Sequence, residues 1–220
     1  MTTSLIDRWR FLREQIPKGS RLLAVSKGHP AASIRALAEQ GQKEFGESRL
    51  QEALPKLEQL SDLAIEWHFI GRLQSNKVRS VVRSFPVIHS VDSQALAQRV
   101  SRIAGEEQVC PDVLLQVKLR PDPNKGGFDP EQLKTSWFEL KALPAMRIVG
   151  LMTMAPMNCG EDDRQRLFRE CRELADRLTL RECSMGMSGD WRDAAEAGST
   201  WLRLGSALFG ARPVPAPSAP

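Results

Sequence analysis

Short apolar segments alternate with segments of helical periodicity along this chain, and the alternation limits the folds that it can adopt. Eight segments have the length and composition of strands, at residues 22–27, 43–47, 65–70, 87–91, 113–119, 148–155, 183–187 and 201–209, the last running into a helix. A helical pattern follows each of the first seven. Because neighbouring parallel strands need such crossover connections, the alternation predicts a parallel sheet.

Eight strand–helix units spread over the chain predict a closed (β/α)8 TIM barrel, an α/β fold formed by one domain over residues 1–212. The tail at residues 213–220 contains only Pro, Ala, Ser and Val and is predicted to be disordered. Two of the strands are weak, so an open doubly wound sheet is the alternative. No G-x-G-x-x-G motif follows the first strand and the sequence contains no P-loop, which counts against a nucleotide-binding sheet.

Composition argues against several classes of partner. The 31 basic and 27 acidic residues are interspersed and leave a net charge of +4, so nucleic-acid binding is not expected. No apolar stretch has the length of a membrane span, and the N-terminal segment is a charged amphipathic helix without the apolar core of a signal peptide. The four cysteines form no C-x-x-C pair, which argues against a disulfide framework or a zinc site. These features predict a cytoplasmic protein.

Lys27 ends the first apolar segment, and Gly28 and Pro30 after it predict a turn from the strand into a helix. Lys27 is therefore expected at the carboxyl edge of the sheet, where β/α folds bind their ligands. Partial burial favours the neutral form of a lysine, and a neutral amine can attack an aldehyde. On position alone, an ordinary lysine exposed at a strand end explains the pattern at least as well.

Two later turns carry the glycines and serines of a phosphate-binding site. Ser188-Gly189 follows the seventh strand, and Gly205-Ser206 lies at the end of the eighth. In β/α barrels these two loops commonly bind a phosphate group through backbone N–H groups and hydroxyls. Ordinary strand-to-helix turns also favour Gly and Ser, so either turn alone indicates little. Together with Lys27 they fit one ligand, an aldehyde that bears a phosphate: pyridoxal 5′-phosphate (PLP).

Arg203 precedes Gly205 by two residues, and strand alternation places it on the face opposite to Leu202 and Leu204. If that face is the barrel interior, its guanidinium can donate a hydrogen bond to the pyridine nitrogen of PLP. A guanidinium there keeps the nitrogen unprotonated and weakens the ring as an electron sink. The alternative is a surface arginine that pairs with acidic residues of a helix.

Seven stretches of the chain carry a resemblance to a known family: AVSK (24–27), FGESRLQEA (45–53), WHFIGRLQSNK (67–77), HSVDS (89–93), NKGGF (124–128), GLMTMA (150–155) and SMGMSGDWRDAAEAGSTWLRLGSALFGAR (184–212). The chain resembles the pyridoxal phosphate homeostasis protein family, whose fold is similar to the barrel domain of bacterial alanine racemase. The resemblance implies PLP held as a Schiff base on Lys27, its phosphate bound by Ser188, Gly205 and Ser206, and Arg203 at the ring nitrogen. It also implies that Asn76 and the strand His68–Ile70 lie near the cofactor, and that Met152 lies along the barrel interior.

Several residues carry further expectations. Many relatives have Asn where this chain has Ser48, so the role of Ser48 in the cofactor site is open. Ser48 and Gln51 also match a capping box, which predicts a helix start there. His29, at the start of the first crossover helix, is expected to be exposed. His68 and His89 are expected to be hydrogen-bonded histidines of the barrel and not catalytic bases.

Two functions of different classes fit such a site. The first is a carrier that binds PLP reversibly, buffers it and delivers it without turning over a substrate. The second is an amino-acid racemase or related PLP enzyme. A racemase of the alanine type needs a tyrosine opposite the lysine, and this chain contains no tyrosine. The arginine expected at the ring nitrogen also favours the carrier, and a binding module without a cofactor is a third interpretation.

The expected partners follow from the carrier interpretation. Apo PLP enzymes or a regulatory protein would receive the cofactor or share its pathway. The alanine racemase site is completed across a dimer by a tyrosine, which this chain lacks. The resemblance therefore favours a monomer or a weak dimer for this chain.

Overall fold

Eight parallel strands close into a barrel in the computed structural model, which describes residues 4–123 and 125–211. The strands lie in chain order around the barrel, at β1 Arg21–Val25, β2 Glu44–Glu47, β3 Glu66–Phe69, β4 Val87–Val91, β5 Asp112–Gln116, β6 Arg147–Met152, β7 Glu182–Met187 and β8 Trp201–Leu204. Pairing of β8 with β1 closes the sheet. The predicted (β/α)8 fold is confirmed, and the open doubly wound alternative is wrong. The tail at 213–220, predicted to be disordered, lies outside the described residues.

Helices connect successive strands and cover the barrel. They span α1 Leu5–Gln15, α2 Ala31–Ala38, α3 Leu50–Gln59, α4 Val78–Ser84, α5 Gln94–Glu106, α6 Pro130–Lys141, α7 Glu161–Arg177, α8 Trp191–Glu196 and α9 Ser206–Phe209. Arg8 of α1 donates hydrogen bonds to the carbonyl oxygens of Leu208 and Phe209, which holds the first helix against the last. Among the described residues, none of the helices combines the length and apolarity needed to cross a membrane.

The apolar residues form two layers, one inside the barrel and one between the strands and the helices. The interior layer contains a cluster of apolar side chains, one from each of five strands: Leu23, Val87, Leu114, Met152 and Trp201. Leu202 and Leu204 belong to the outer layer. Because side chains alternate along a strand, Arg203 between these two leucines faces the interior, as the first of its two sequence interpretations requires.

Several strands end earlier than the sequence predicts. β1 ends at Val25, so Lys27 lies in a turn two residues beyond the strand. β6 ends at Met152, although residue 153 still donates from its backbone N–H to the carbonyl oxygen of Ser184 at 3.1 Å. The apolar pattern continues past the last regular pairing, because the segments that leave the barrel stay buried at its carboxyl edge.

The capping box predicted at Ser48 and Gln51 is wrong. α3 begins at Leu50, and Arg49 takes the cap position in an extended conformation without a side-chain hydrogen bond to the helix. Ser48 stays in the turn after β2, where its backbone packs against the turn after β3. A Cβ placed on Gly71 would lie 2.0 Å from the Ser48 carbonyl oxygen. This close approach fixes Ser48 at the barrel edge in preference to the helix cap.

Candidate functional site

A cavity of about 390 Å³ opens at the carboxyl ends of the strands. Residues at or beyond the ends of six strands form its wall, and they include Lys27, His29, Ser48, Ile70, Met154, Ser188, Gly189, Arg203, Gly205 and Ser206. Its size, and its mixture of apolar wall and few polar groups, are typical of small-molecule sites, which measure roughly 300–1,000 Å³. The fold thus brings Lys27, both serine-bearing turns and Arg203 to one cavity.

Lys27 lies half-buried in the cavity wall, on the turn that joins β1 to α2. The turn is closed by a hydrogen bond from the His29 N–H to the Ser26 carbonyl oxygen at 3.0 Å, and Gly28 adopts a φ of +78°, which favours glycine. The His29 ring stacks on Phe209 of α9 with ring centroids 4.7 Å apart. His29 is only 8% exposed, so the expectation of an exposed histidine is wrong. Packing against the last helix buries it.

The turns after β7 and β8 meet on one side of the cavity. The Ser188 hydroxyl accepts a hydrogen bond from the N–H of Ala207 at 3.0 Å, which ties the two turns together. Gly189 and Ser206 lie beside it in the wall. A Cβ placed on Gly189 would find no protein atom within 4 Å, so this glycine borders open space. Hydroxyls and glycine backbone therefore surround a volume that is open to a ligand.

Arg203 lies inside the barrel, and hydrogen bonds hold its guanidinium at the wall of the cavity. Its Nη1 donates to the carbonyl oxygen and the hydroxyl of Ser184 at 2.6 and 2.7 Å, and its Nη2 donates to the carbonyl oxygen of Thr153 at 2.9 Å. Burial lowers the pKa of Arg203 to about 10. The guanidinium is thus still charged at neutral pH, and these bonds fix its orientation.

A chain of hydrogen-bonded polar side chains runs through the barrel to Arg203. Glu66 Oε1 lies 2.8 Å from His68 Nε2, His68 Nδ1 lies 2.8 Å from His89 Nε2, and His89 Nδ1 lies 2.9 Å from Ser184 Oγ. Burial, reinforced by the neighbouring His68 and Arg203, holds the pKa of His89 well below its usual value. Both histidines are hydrogen-bonded inside the barrel, as the sequence predicts. The last link is the Ser184 hydroxyl, which also accepts from Arg203.

The remaining predicted site residues lie in three different places. Ser48 lines the cavity. Met152 is buried in the interior layer, and Met154, two residues on, reaches the cavity wall. Asn76 is exposed in a short 3₁₀ helix at Ser75–Lys77, and it is not among the described residues that line the cavity.

Ile70, the last residue of the strand expected near the cofactor, lines the cavity, whereas the sequence did not indicate Met154 as a wall residue. A period-two signal could have found Met154, because residues two apart on a strand share a face and Met152 was already assigned to the interior. The wall contains no acidic side chain among the described residues that form it. Nor does the described part of the chain bring three or more His, Cys, Asp or Glu side chains together in a geometry that would hold a metal ion.

Comparison with known proteins gives the class of this barrel first. The family model for the N-terminal domain of alanine racemase matches residues 2–213. An alanine racemase of Clostridium difficile superposes with a TM-score of 0.78 at 17% identity, covering 96% of this chain and 57% of the racemase. At that identity the likeness shows a shared barrel fold.

Relatives with higher sequence identity show to which family of this barrel class the chain belongs. A pyridoxal phosphate homeostasis protein of Synechocystis sp. is 48% identical over 204 residues, which is 90% of this chain and 94% of the relative. PipY of Synechococcus elongatus, solved without PLP and with PLP bound, superposes with TM-scores of 0.92 and 0.90 at 47% and 46% identity. Each match covers 94% of this chain and 100% of PipY. The chain belongs to the pyridoxal phosphate homeostasis protein family.

Proposed function

We propose that this chain binds PLP as a Schiff base on Lys27 and acts in intracellular PLP homeostasis, by buffering and delivering the cofactor. One observation carries the proposal: Lys27, two serine-bearing turns and Arg203 share a cavity whose described wall residues include no acid. Two cationic side chains without a carboxylate suit an anionic ligand. The names of the relatives and the PLP bound to PipY support the same ligand.

The groups around the cavity fit each part of PLP. The Lys27 amine suits the aldehyde, and the guanidinium of Arg203 suits the ring nitrogen. The hydroxyls of Ser188 and Ser206, with the backbone at Gly189 and Gly205, suit the phosphate. PLP, when bound, supplies an electrophilic aldehyde and an electron-withdrawing ring. The chain supplies the attacking amine, the phosphate-binding turns and a charged donor that cannot readily give up its proton.

We infer a non-catalytic role for the site. Arg203 keeps its proton at neutral pH and is held by Ser184 and Thr153, so it supports an unprotonated ring nitrogen, which stabilises a substrate carbanion poorly. The sequence contains no tyrosine to act as the acid of the opposite face. The likeness to alanine racemase concerns the fold alone, so these two features favour a carrier over a racemase.

A spectrum and a covalent label test the proposal. Purified protein with PLP should show the visible absorption of a Schiff base, and borohydride reduction should fix the label on the peptide that contains Lys27. Lys27→Ala should fold normally and lose this absorption, because a lysine at the barrel edge adds little to the core. Lys125→Ala is the matched control and should keep the label. Label on Lys125 or Lys77 in place of Lys27 would overturn the assignment.

Two assays on the PLP-loaded protein distinguish a carrier from a racemase. In heavy water with L-alanine, exchange at the α-carbon should be negligible, whereas transfer of PLP to an apo-enzyme acceptor should be detectable. Rapid, stereochemically complete exchange on a common amino acid would place the chain among the racemases.

We place this function in the cytoplasm, with apo PLP enzymes or a regulatory protein as partners. All four cysteines are free thiols, which suits a reducing compartment. A monomer or weak dimer is the assembly we propose.

A further inference from the structure

A buried cluster of charged side chains borders the Lys27 turn without lining the cavity. Glu47 ends β2, and Glu52 and Lys56 lie one helical turn apart on α3. Lys56 Nζ donates to Glu47 Oε1 at 2.8 Å and to Glu52 Oε1 at 2.7 Å. Glu47 is fully buried and Lys56 nearly so. Burying an ion pair is costly and is weak as a source of stability, so the other contacts of the cluster decide what it does.

Those contacts reach the residues on both sides of Lys27. Before Lys27, the Ser26 hydroxyl donates to Glu47 Oε1 at 2.7 Å, and the Ser26 carbonyl oxygen accepts from Lys56 Nζ at 3.0 Å. After Lys27, the backbone N–H of Gly28 donates to Glu52 Oε1. The second β/α unit therefore binds the backbone of the first one immediately before and immediately after Lys27.

The charges of the cluster suit this task. Burial would raise the pKa of Glu52, but hydrogen bonds from Lys56 and from the Gly28 N–H hold it below its usual value, so Glu52 stays an ionised acceptor. One carboxylate oxygen of Glu47, Oε1, accepts hydrogen bonds from Ser26 and Lys56. Its other oxygen, Oε2, is buried without a hydrogen-bond partner among the described residues. A buried polar oxygen without a partner is destabilising and needs an explanation. We explain the presence of Glu47 by the hydrogen bond that its other oxygen accepts from Ser26 in the Lys27 turn.

We propose that Glu47, Glu52 and Lys56 are positioning residues, which hold the Lys27 turn in the conformation that directs its amine to the aldehyde of PLP. The inference rests on the proposed function, because it concerns the reaction of Lys27 with the cofactor. Holding the nucleophile in place raises its effective concentration at the aldehyde, and a loosened turn loses that advantage.

Glu52→Ala is the sharpest variant. The Glu52 side chain is 26% exposed, so its removal spares the core, yet it takes the acceptor from Gly28. Dissociation constants for PLP are measured for wild type, Glu52→Ala, Lys27→Ala and the double variant. We expect Glu52→Ala to weaken binding about tenfold when Lys27 is present, and less than about twofold in the Lys27→Ala background. Without Lys27, only the phosphate and ring contacts remain, and the cluster does not touch them.

Two controls complete the cycle. Glu52→Gln keeps an oxygen that can accept from Gly28 and should restore binding to within about threefold of wild type. Glu58→Ala removes an exposed acid from the same helix and should change nothing. Equal losses with and without Lys27, or no loss from Glu52→Ala, would overturn the positioning role. Failure of the proposed function is read separately, because wild-type protein would then form no Schiff base on Lys27.

Discussion

Ser188 and Ser206, the serines of the two turns, line the cavity, and in the proposed complex they bind the phosphate. They differ in their other contacts, because the Ser188 hydroxyl also holds the N–H of Ala207. Ser206→Ala therefore tests only the contribution of a hydroxyl to ligand binding. Ser188→Ala tests that contribution together with the hydrogen bond that joins the two turns. Lys27 and Arg203 contact other parts of PLP in the proposed complex, so pyridoxal, which lacks the phosphate, is the matched ligand.

We expect Ser206→Ala and Ser188→Ala each to weaken PLP binding by roughly 1.5–3 kcal/mol, the range for a hydrogen bond to a charged group. Affinity for pyridoxal should stay nearly unchanged. Ser188→Ala should also lower the free energy of unfolding by roughly 0.5–1.5 kcal/mol, because the Ala207 N–H loses its acceptor. Titration with both ligands and urea denaturation measure these effects. Equal losses for PLP and pyridoxal would mean that the serines only support the fold.

At the scale of elements, the sequence predicts most of the repeated strand and helix order. It predicts few of the contacts that one element makes with another. Alternation along β8 was enough to place Arg203 on the face opposite to Leu202 and Leu204, but it left open which of the two faces is the barrel interior. The order of strands and turns was enough to bring Lys27 near Ser188 and Ser206. The capping box at Ser48 failed because a contact with Gly71, in the next β/α unit, decides that backbone. Pairing within α3 is visible as an i,i+4 spacing of Glu52 and Lys56, whereas their contacts with the β1 turn depend on how the elements pack.

The polar chain across β3, β4 and β7 shows the same limit. Each of His68, His89 and Ser184 can be assigned to an interior face from its own strand, but their hydrogen bonds depend on the register and closure of the barrel. The low pKa of His89 is therefore a property of the assembled barrel and has a consequence for stability.

Folded His89 stays neutral at a pH where a histidine of the unfolded chain, with a pKa near 6.5, takes up a proton. The unfolded state then binds more protons, so the free energy of unfolding falls as the pH drops below about 6.5, by up to about 1.4 kcal/mol per pH unit for one proton. His89→Asn does not titrate and should lose less stability over the same range. Urea denaturation between about pH 7.5 and pH 5 measures both slopes. Equal slopes would contradict a neutral buried His89.

At the scale of the whole molecule, the exposed apolar side chains of the described residues bear on whether two copies associate. The largest exposed apolar side chains of the described residues lie on separate segments: Phe11, Leu54, Phe138, Met157 and Met187. Singly exposed apolar residues are normal for monomers, whereas stable dimers bury a contiguous patch.

We therefore expect a monomer at micromolar concentration, with or without PLP, in light scattering of the purified protein. Phe138 of α6 is 86% exposed and is the most exposed aromatic side chain on a described helix, so a dimer built on an apolar contact would be expected to use it. Phe138→Ser should leave the measured mass unchanged. A wild-type mass of two chains would contradict the predicted monomer. If that mass halves in Phe138→Ser, α6 forms part of the dimer interface, because loss of an apolar anchor weakens association.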